Sequence, residues 1–488
     1  MPNNNLSLVI SINDSEWDIS KATFIFKVLE RKNQKPIFLI NDNQNKKKYL
    51  NNLSIKPIIL GKNFITLFFF MFGFGRFLQI KKKKLRKEFS RISFNSFVLA
   101  GQERLGGLRY LNLKNYTASK IKFFLWQNIS SGIVHYFQKK GIKIISFEDR
   151  VKQPESSIYF ESILRGIKFI QFTRGPKKNS LVFKKLTVEN YWHHPLSDTE
   201  AIFKNQIEFP SFSSTHEDEL ISEMTRRYTD NHWYDRDKIT SQAFKLGDAA
   251  KINQLFGKDF YLVVPHIVWD ATFCYGENIF IDYLSWLERV ITNIANYPQK
   301  NFVIKLHPDL DWKSKMLKDV FSHIGFIDDL VHEKKIKNIK VLTAATEIAT
   351  IDLIKQSMGV ITVRGTAGLE AACFGKKVLT AGSGRYSHLG FTVDSVNDKD
   401  FDINFGKFVS DPTQIGKLQV LDARKLAFRL FFQKPITFSS LQYSRDITKK
   451  VDIKELINDI DELLFKSDDV VDRLGDWMLD NEYDFYNC

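Results

Sequence analysis

Cysteine, proline and glycine are all scarce in this chain, at 3, 12 and 24 of 488 residues. Three scattered thiols, Cys274, Cys373 and Cys488, exclude a disulfide framework and a cysteine-based zinc site, and they fit a reducing compartment. So little glycine and proline excludes collagen-like and low-complexity chains, and a hydrophobic content of 43% excludes wholesale disorder. Long apolar runs are also missing. The longest, ITLFFFMFGFG at 65–75, has 11 residues, about half of the ~20 that span a bilayer. The first residues, MPNNNLSLVISINDSEW, lack the basic start and apolar centre of a secretory signal.

At ~150 residues per domain, the length predicts two to three domains, ample to bury real cores. Charge is unevenly spread over the formal +15: residues 41–90 hold 12 Lys/Arg against 2 acids, whereas 451–488 hold 12 acids against 3 bases. A basic block of this density suits an anionic membrane or a nucleic acid, and equally a Lys- and Asn-rich genome.

Short β-rich runs alternate with helical patterns. Leu6–Ile10, Pro36–Ile40, Lys143–Phe147 and Lys168–Phe172 read as strands, with helices over 19–29 and 156–164 between them. Gly141 and Gly166 read as helix ends feeding buried strands. After a polar stretch at 200–258 the grammar restarts, with strands at Phe260–Val264, Phe302–Leu306, Lys340–Leu342, Gly359–Val363 and Lys377–Thr380. Strand–helix alternation of this kind predicts parallel sheets with helical crossovers. The fold class is therefore α/β, with two Rossmann-like parallel-sheet domains facing a cleft. The expected division is 1–240 for an N-terminal Rossmann-like domain, 241–430 for a C-terminal Rossmann-like domain, and 431–488 for a helical tail, acidic from about 451. Ile453, Leu456, Ile457, Ile460, Leu463 and Leu464 of that tail share one helical face.

Chemistry-bearing residues gather between 302 and 391. FVIKLHPD places Lys305, His307 and Pro308 where a buried strand ends, the edge at which α/β sheets hold ligands. In VITVRGTAGLEAAC, a strand runs through Arg364, Gly365, Thr366 and Gly368 into a helix. The glycines predict close approach of backbone to a ligand, Thr366 an N-cap, the free helix N–H groups a phosphate site, and Glu370 an acceptor for ribose hydroxyls. A third turn, Gly382-Ser383-Gly384-Arg385-Tyr386, follows the next strand. Glu148 and Asp149 end a strand in the N-terminal half and Asp270 follows one in the C-terminal half, which makes these carboxylates candidate general bases. His193-His194-Pro195 has no third metal ligand at a recognisable spacing and reads as a loop pair. Phosphate-loop, zinc-protease and serine-hydrolase signatures are absent from the sequence.

KLHP followed by RGTAGLEAACFGKKVLTAGSGRYSHLGF resembles the bacterial capsule polysaccharide biosynthesis family, which is related to CMP-Kdo-dependent glycosyltransferases of the GT-B fold. VPHIVWDATFCYGENIFIDYLSWLERVI, containing Asp270 and Trp286, is similar to the strand and helix that precede the HP motif in those proteins. The resemblance implies a glycosyltransferase of capsule or lipopolysaccharide assembly that moves an ulosonic acid such as Kdo from a CMP-activated donor to a glycan or glycolipid. It implies that Lys305, His307, Arg364, Gly365, Thr366, Gly368, Glu370 and Tyr386 bind the donor nucleotide. By the same resemblance Arg150 and Arg174 lie on the acceptor side. A metal is not expected, because GT-B enzymes neutralise the leaving phosphate with side chains and a helix end. The sequence departs from the family where Arg364-Gly365-Thr366 replaces a two-hydroxyl loop. The alternatives are a UDP- or GDP-sugar transferase of the same fold and a non-catalytic carbohydrate- or RNA-binding protein, although no nucleic-acid partner is expected. The protein is expected to be cytoplasmic, peripheral on the inner face of the inner membrane through 65–87, where an apolar run meets a lysine cluster.

Overall fold

The computed structural model describes residues 6–12, 17–61, 63–79, 81–102, 107–176, 180–226, 259–317, 321–438 and 469–486. The chain divides into two compact units: Met1–Gln102, Asn112–Tyr191 and Gln433–Cys488 form the first, and Glu103–Leu111 with Trp192–Phe432 the second. Each carries its own sheet.

In the first unit the strands are β1 (Leu6–Ser11), β2 (Lys35–Asn41), β3 (Ile58–Leu60), β4 (Ile142–Phe147), β5 (Lys168–Arg174) and β6 (Ser180–Leu186). With the short strand Ile436–Thr437 they run in the order Ile436–Thr437, β6, β5, β4, β1, β2, β3. The pairs among β1 to β5 are parallel, and β6 and Ile436–Thr437 extend the sheet antiparallel. The central run Leu8-Val9-Ile10 is buried on both faces, which is why it reads as continuous hydrophobicity rather than alternation. Its helices are α1 (Trp17–Arg31), α2 (Gln44–Asn52), α3 (Phe64–Gly73), α4 (Lys83–Ser96), α5 (Leu113–Lys139) and α6 (Glu155–Leu164). Gly141 and Gly166 hold φ of 87° and 72°, as expected at helix ends that open into β4 and β5.

The second unit is an all-parallel sheet of β7 (Phe260–Val263), β8 (Asn301–Lys305), β9 (Ile339–Leu342), β10 (Gly359–Ile361) and β11 (Val378–Leu379), in the order β11-β10-β7-β8-β9. In chain order that is 5-4-1-2-3, the doubly wound Rossmann order read from one side; β3-β2-β1-β4-β5 of the first unit has the same order. The α/β reading of the sequence therefore stands in both units.

The division of the chain differs from the one expected. The units part at Tyr191/Trp192, while the anticipated boundary at 240/241 falls outside the described residues. The last residues are not a separate tail. The strand Ile436–Thr437 completes the first sheet, and the helix Asp469–Leu479 covers α1, with Arg31 Nε donating to Asp472 Oδ1 at 2.8 Å and Lys32 pairing with Asp476 at 2.7 Å. The predicted amphipathic face at 453–464 lies outside the described residues. The acidic character of the segment has a structural cause. Lys184 on β6 and Lys434 are fully buried, and Asp484 pairs with them at 2.6 and 3.0 Å, while Asp480 pairs with Lys185.

Candidate functional site

Strand order reverses in the second sheet between β7 and β10, so the loops after these strands flank the crevice where open α/β sheets take ligands. Two bonds lock them together. The Val264 N–H donates to Ile361 O at 3.0 Å, and the Thr362 hydroxyl donates to Val264 O at 2.9 Å.

Arg364 leaves β10 into this crevice. The side chain is 5% exposed, and Nη2 donates to Glu277 O at 3.1 Å and to Asn278 Oδ1. Nε and Nη1 are buried with no hydrogen-bond partner. A buried guanidinium with unmet donors is costly unless an anion meets them. Across from it the backbone N–H of Arg364 donates to His266 Nε2 at 3.3 Å, and the His266 ring stacks on Tyr283 at 4.4 Å. An accepting Nε2 requires the neutral ring with its proton on Nδ1. Burial, followed by the proximity of Arg364, His307 and Arg385, presses the His266 pKa down to about 3.

One strand over, β8 ends at Lys305, which is buried, and Leu306 leads to His307. His307 Nδ1 accepts the Asp309 N–H at 3.1 Å, which leaves Nε2 as the ring's donor. Asp270, from the loop after β7, pairs with Lys313 at 2.8 Å. Burial opposes ionisation of Asp270, but the charge and hydrogen bond of the Lys313 ammonium lead the interactions that outweigh it and hold the carboxyl below the usual carboxylate range.

The helix Thr366–Cys373 begins at the same edge. Its N-cap is Gly365 rather than Thr366, no side chain caps it, and its first turn holds no acid. Thr366 lies one position inside, and its hydroxyl accepts from Arg385 Nη2 at 3.0 Å. An uncapped helix start beside Arg364 and Arg385 suits an anion.

Three expectations are corrected here. Glu370 is fully buried, because Leu369, Ala371, Ala372 and Cys373 are buried with it and the short helix is covered all round; its carboxylate does not face a ribose. Gly368 serves a protein contact, not a ligand: a Cβ there would lie 2.1 Å from the Tyr386 hydroxyl. Tyr386 is itself fully buried and donates to Gly365 O at 2.6 Å, so it braces the loop from behind.

In the first unit the reversal falls between β1 and β4, and Glu148 stands at the end of β4. Its Oε1 pairs with Lys21 of α1. Asp149 accepts the Val151 N–H at 2.9 Å, a turn role that competes with that of a base. Arg150 is buried, with Nη1 donating to the Tyr159 hydroxyl and to Tyr191 O, both at 2.6 Å. That burial corrects its assignment to an acceptor surface. Arg174 ends β5, half-buried. His193 is buried, with Nδ1 3.2 Å from the Thr199 hydroxyl, and His194 packs on Tyr275. Among the described residues no group of three His, Cys, Asp or Glu side chains could hold a metal.

The sequence reading passed over His266 and Tyr283. A signal for His266 existed, because Pro265-His266 follows β7 much as His307-Pro308 follows β8. Its depressed pKa has a measurable consequence. Between the folded value of about 3 and the ordinary 6.5 the unfolded chain binds more protons, so this contribution to stability is complete above 6.5 and is lost as pH falls toward 3. Replacing His266 by Asn is expected to flatten the fall in Tm between about pH 6 and about pH 4. Parallel Tm curves for the variant and wild type would remove His266 from the acid response.

Residues 196–404 match the family model described as capsule polysaccharide biosynthesis protein. No curated protein matches the chain. Among solved structures, the chain is similar to the Thermosulfurimonas dismutans KpsC beta Kdo 2,4 transferase, at 13% identity over 66% of this chain and 88% of that one, with a TM-score of 0.36. A glycosyltransferase from Rickettsia africae matches at 9% identity over 98% of this chain and 100% of its own, with a TM-score of 0.31. The Neisseria meningitidis UDP-GlcNAc 2-epimerase bound to UDP-GlcNAc matches at 11% identity over 87% and 96%, with a TM-score of 0.26. The match to that family model takes in β7 to β11 and every residue of the crevice, about two fifths of the chain.

Proposed function

We propose that this protein is a glycosyltransferase of surface polysaccharide assembly that takes the phosphate of a CMP-activated ulosonic acid, of which Kdo is the example, at the carboxyl edge of the second sheet. The observation that carries the reading is the buried Arg364, whose Nε and Nη1 have no partner beside an uncapped helix start. Arg385, Lys305 and the Nε2 donor of His307 add positive charge or a donor at the same sheet edge. In the transfer, the bond from the anomeric carbon to the phosphate oxygen breaks, a bond to the acceptor oxygen forms, the acceptor proton goes to a carboxylate, and the nucleotide leaves as an anion. Fixed donors aimed at that developing charge supply transition-state stabilisation without reorganisation. Asp270 is the carboxylate we assign to the acceptor proton, because it is ionised at neutral pH and interacts with His307 and His266.

A melting panel with CMP, UDP and GDP tests the donor. Only the nucleotide that binds the folded state raises Tm, by an amount that grows with its concentration. CMP is expected to be that nucleotide; stabilisation by UDP or GDP alone would replace the CMP-sugar with another donor. Asp270→Asn is expected to lower kcat by about 10²–10⁴-fold with the donor-induced Tm rise retained. Turnover within a few-fold of wild type would remove Asp270 as the base.

A further inference from the structure

In the first unit α3 lies against α5 at a contact of backbone on backbone. A Cβ on Gly73 would fall 1.9 Å from Asn128 O, and one on Gly132 would fall 1.9 Å from Phe69 O. This crossing covers a narrow strip of α3: of its ten residues only Phe69 and Gly73 are buried. The uncovered side is apolar. Phe64, Leu67 and Met71 recur at helical spacing on α3, Phe74 and Leu78 follow just beyond its end, and all five are exposed, Phe64 at 79% and Met71 at 67%. Phe74 meets Phe124 of α5 edge to face at 6.2 Å, and α5 continues the face with the exposed Leu113 and Ile121. A surface this apolar across two neighbouring helices is a binding face, since soluble surfaces scatter such residues singly.

The rim identifies what it binds. Residues 63–102 and 112–141, all within the first unit, carry 13 Lys/Arg against one acid, Glu88, which accepts from the Tyr191 hydroxyl. Lys81 to Lys84 are exposed, and the last two open α4, whose first turn has no acid and whose N-cap, Lys82, makes no capping bond. Cations at a helix start oppose its dipole, so the fold of α4 gains nothing from them. Between α4 and α5 a hollow of about 310 Å³ is lined by Lys87, Arg91 and Lys120 beside Phe94 and Tyr116. A second copy of this face would bring two lysine rims together, and like charge disfavours that. An anionic bilayer offers an apolar interior beneath a negatively charged surface, which complements both parts of the face.

We propose that the α3–α5 face docks on an anionic lipid surface, with its apolar side chains in the acyl boundary and the rim lysines on headgroup phosphates. This extends the docking segment expected at 65–87 to a second helix, and it does not depend on the transferase reading. The whole protein is sedimented with vesicles of phosphatidylcholine alone and with vesicles containing phosphatidylglycerol. Binding is expected to the anionic vesicles only, and to fall steeply between about 0.1 M and about 0.5 M salt. The double variant Leu67→Glu/Met71→Glu, at exposed positions, is expected to reduce binding by about tenfold or more with Tm unchanged. Ile121→Glu is expected to weaken binding as well, which a face confined to 65–87 would not produce. Equal binding to both vesicle types, or none to either, overturns the proposal. So does a dimer in solution that Leu67→Glu/Met71→Glu converts to monomer, because the face would then belong to a second copy.

Discussion

Replacing Arg364 by methionine is expected to lower kcat by about 10²–10³-fold, the usual loss when one fixed donor is withdrawn from a developing oxyanion. The volume is nearly kept, and two of the lost donors, Nε and Nη1, have no partner in the folded chain. What remains to be lost structurally is the pair of bonds from Nη2 to Glu277 O and Asn278 Oδ1 and the contact of the guanidinium with the Tyr283 ring at 5.8 Å. A phosphate role and a bracing role separate in binding. If Arg364 meets the phosphate, CMP should bind wild type more tightly than cytidine does, and Arg364→Met should erase most of that difference. Calorimetric titration of both ligands into both proteins reads it directly. A variant that still prefers CMP by the wild-type ratio, with turnover preserved, would make Arg364 a brace for the 276–278 loop and move the phosphate elsewhere.

The sequence made the strands legible for a physical reason: β7 and β10 are buried along their whole length and are short unbroken apolar runs, and the centres of β1 (Leu8–Ile10) and β4 (Ile144 and Ile145) are apolar and buried in the same way. The crevice was legible for the same reason, since chemistry-bearing residues interrupt those runs at their carboxyl ends. Burial within the helix Thr366–Cys373 was not. A helix of eight residues is too short for periodicity to distinguish one covered face from full enclosure, so Glu370 looked available and is enclosed. Arg150 failed differently: its position after β4 was read correctly, but a charged side chain gives no sign in sequence of turning inward to a backbone carbonyl 41 residues away. The acidic end of the chain was the furthest from reach. Its partners on β6 lie about 300 residues earlier, and charge composition alone reads such a segment as a solvated tail.

That long-range pairing leads to the largest expected effect on stability. Asp484 is 7% exposed and lies between the ammonium groups of Lys184 and Lys434, both fully buried, at 2.6 and 3.0 Å. Removing one partner of a buried ion pair leaves an uncompensated charge and costs about 3–5 kcal/mol, whereas exchanging all partners for apolar groups is often neutral or stabilising. Asp484→Asn is therefore expected to destabilise the first unit by about that amount, read as a lower midpoint in calorimetry. The triple variant Lys184→Met/Lys434→Met/Asp484→Leu is expected to recover most of it. If Asp484→Asn melts within a degree of wild type, then the acidic segment does not hold the buried lysines of the first sheet.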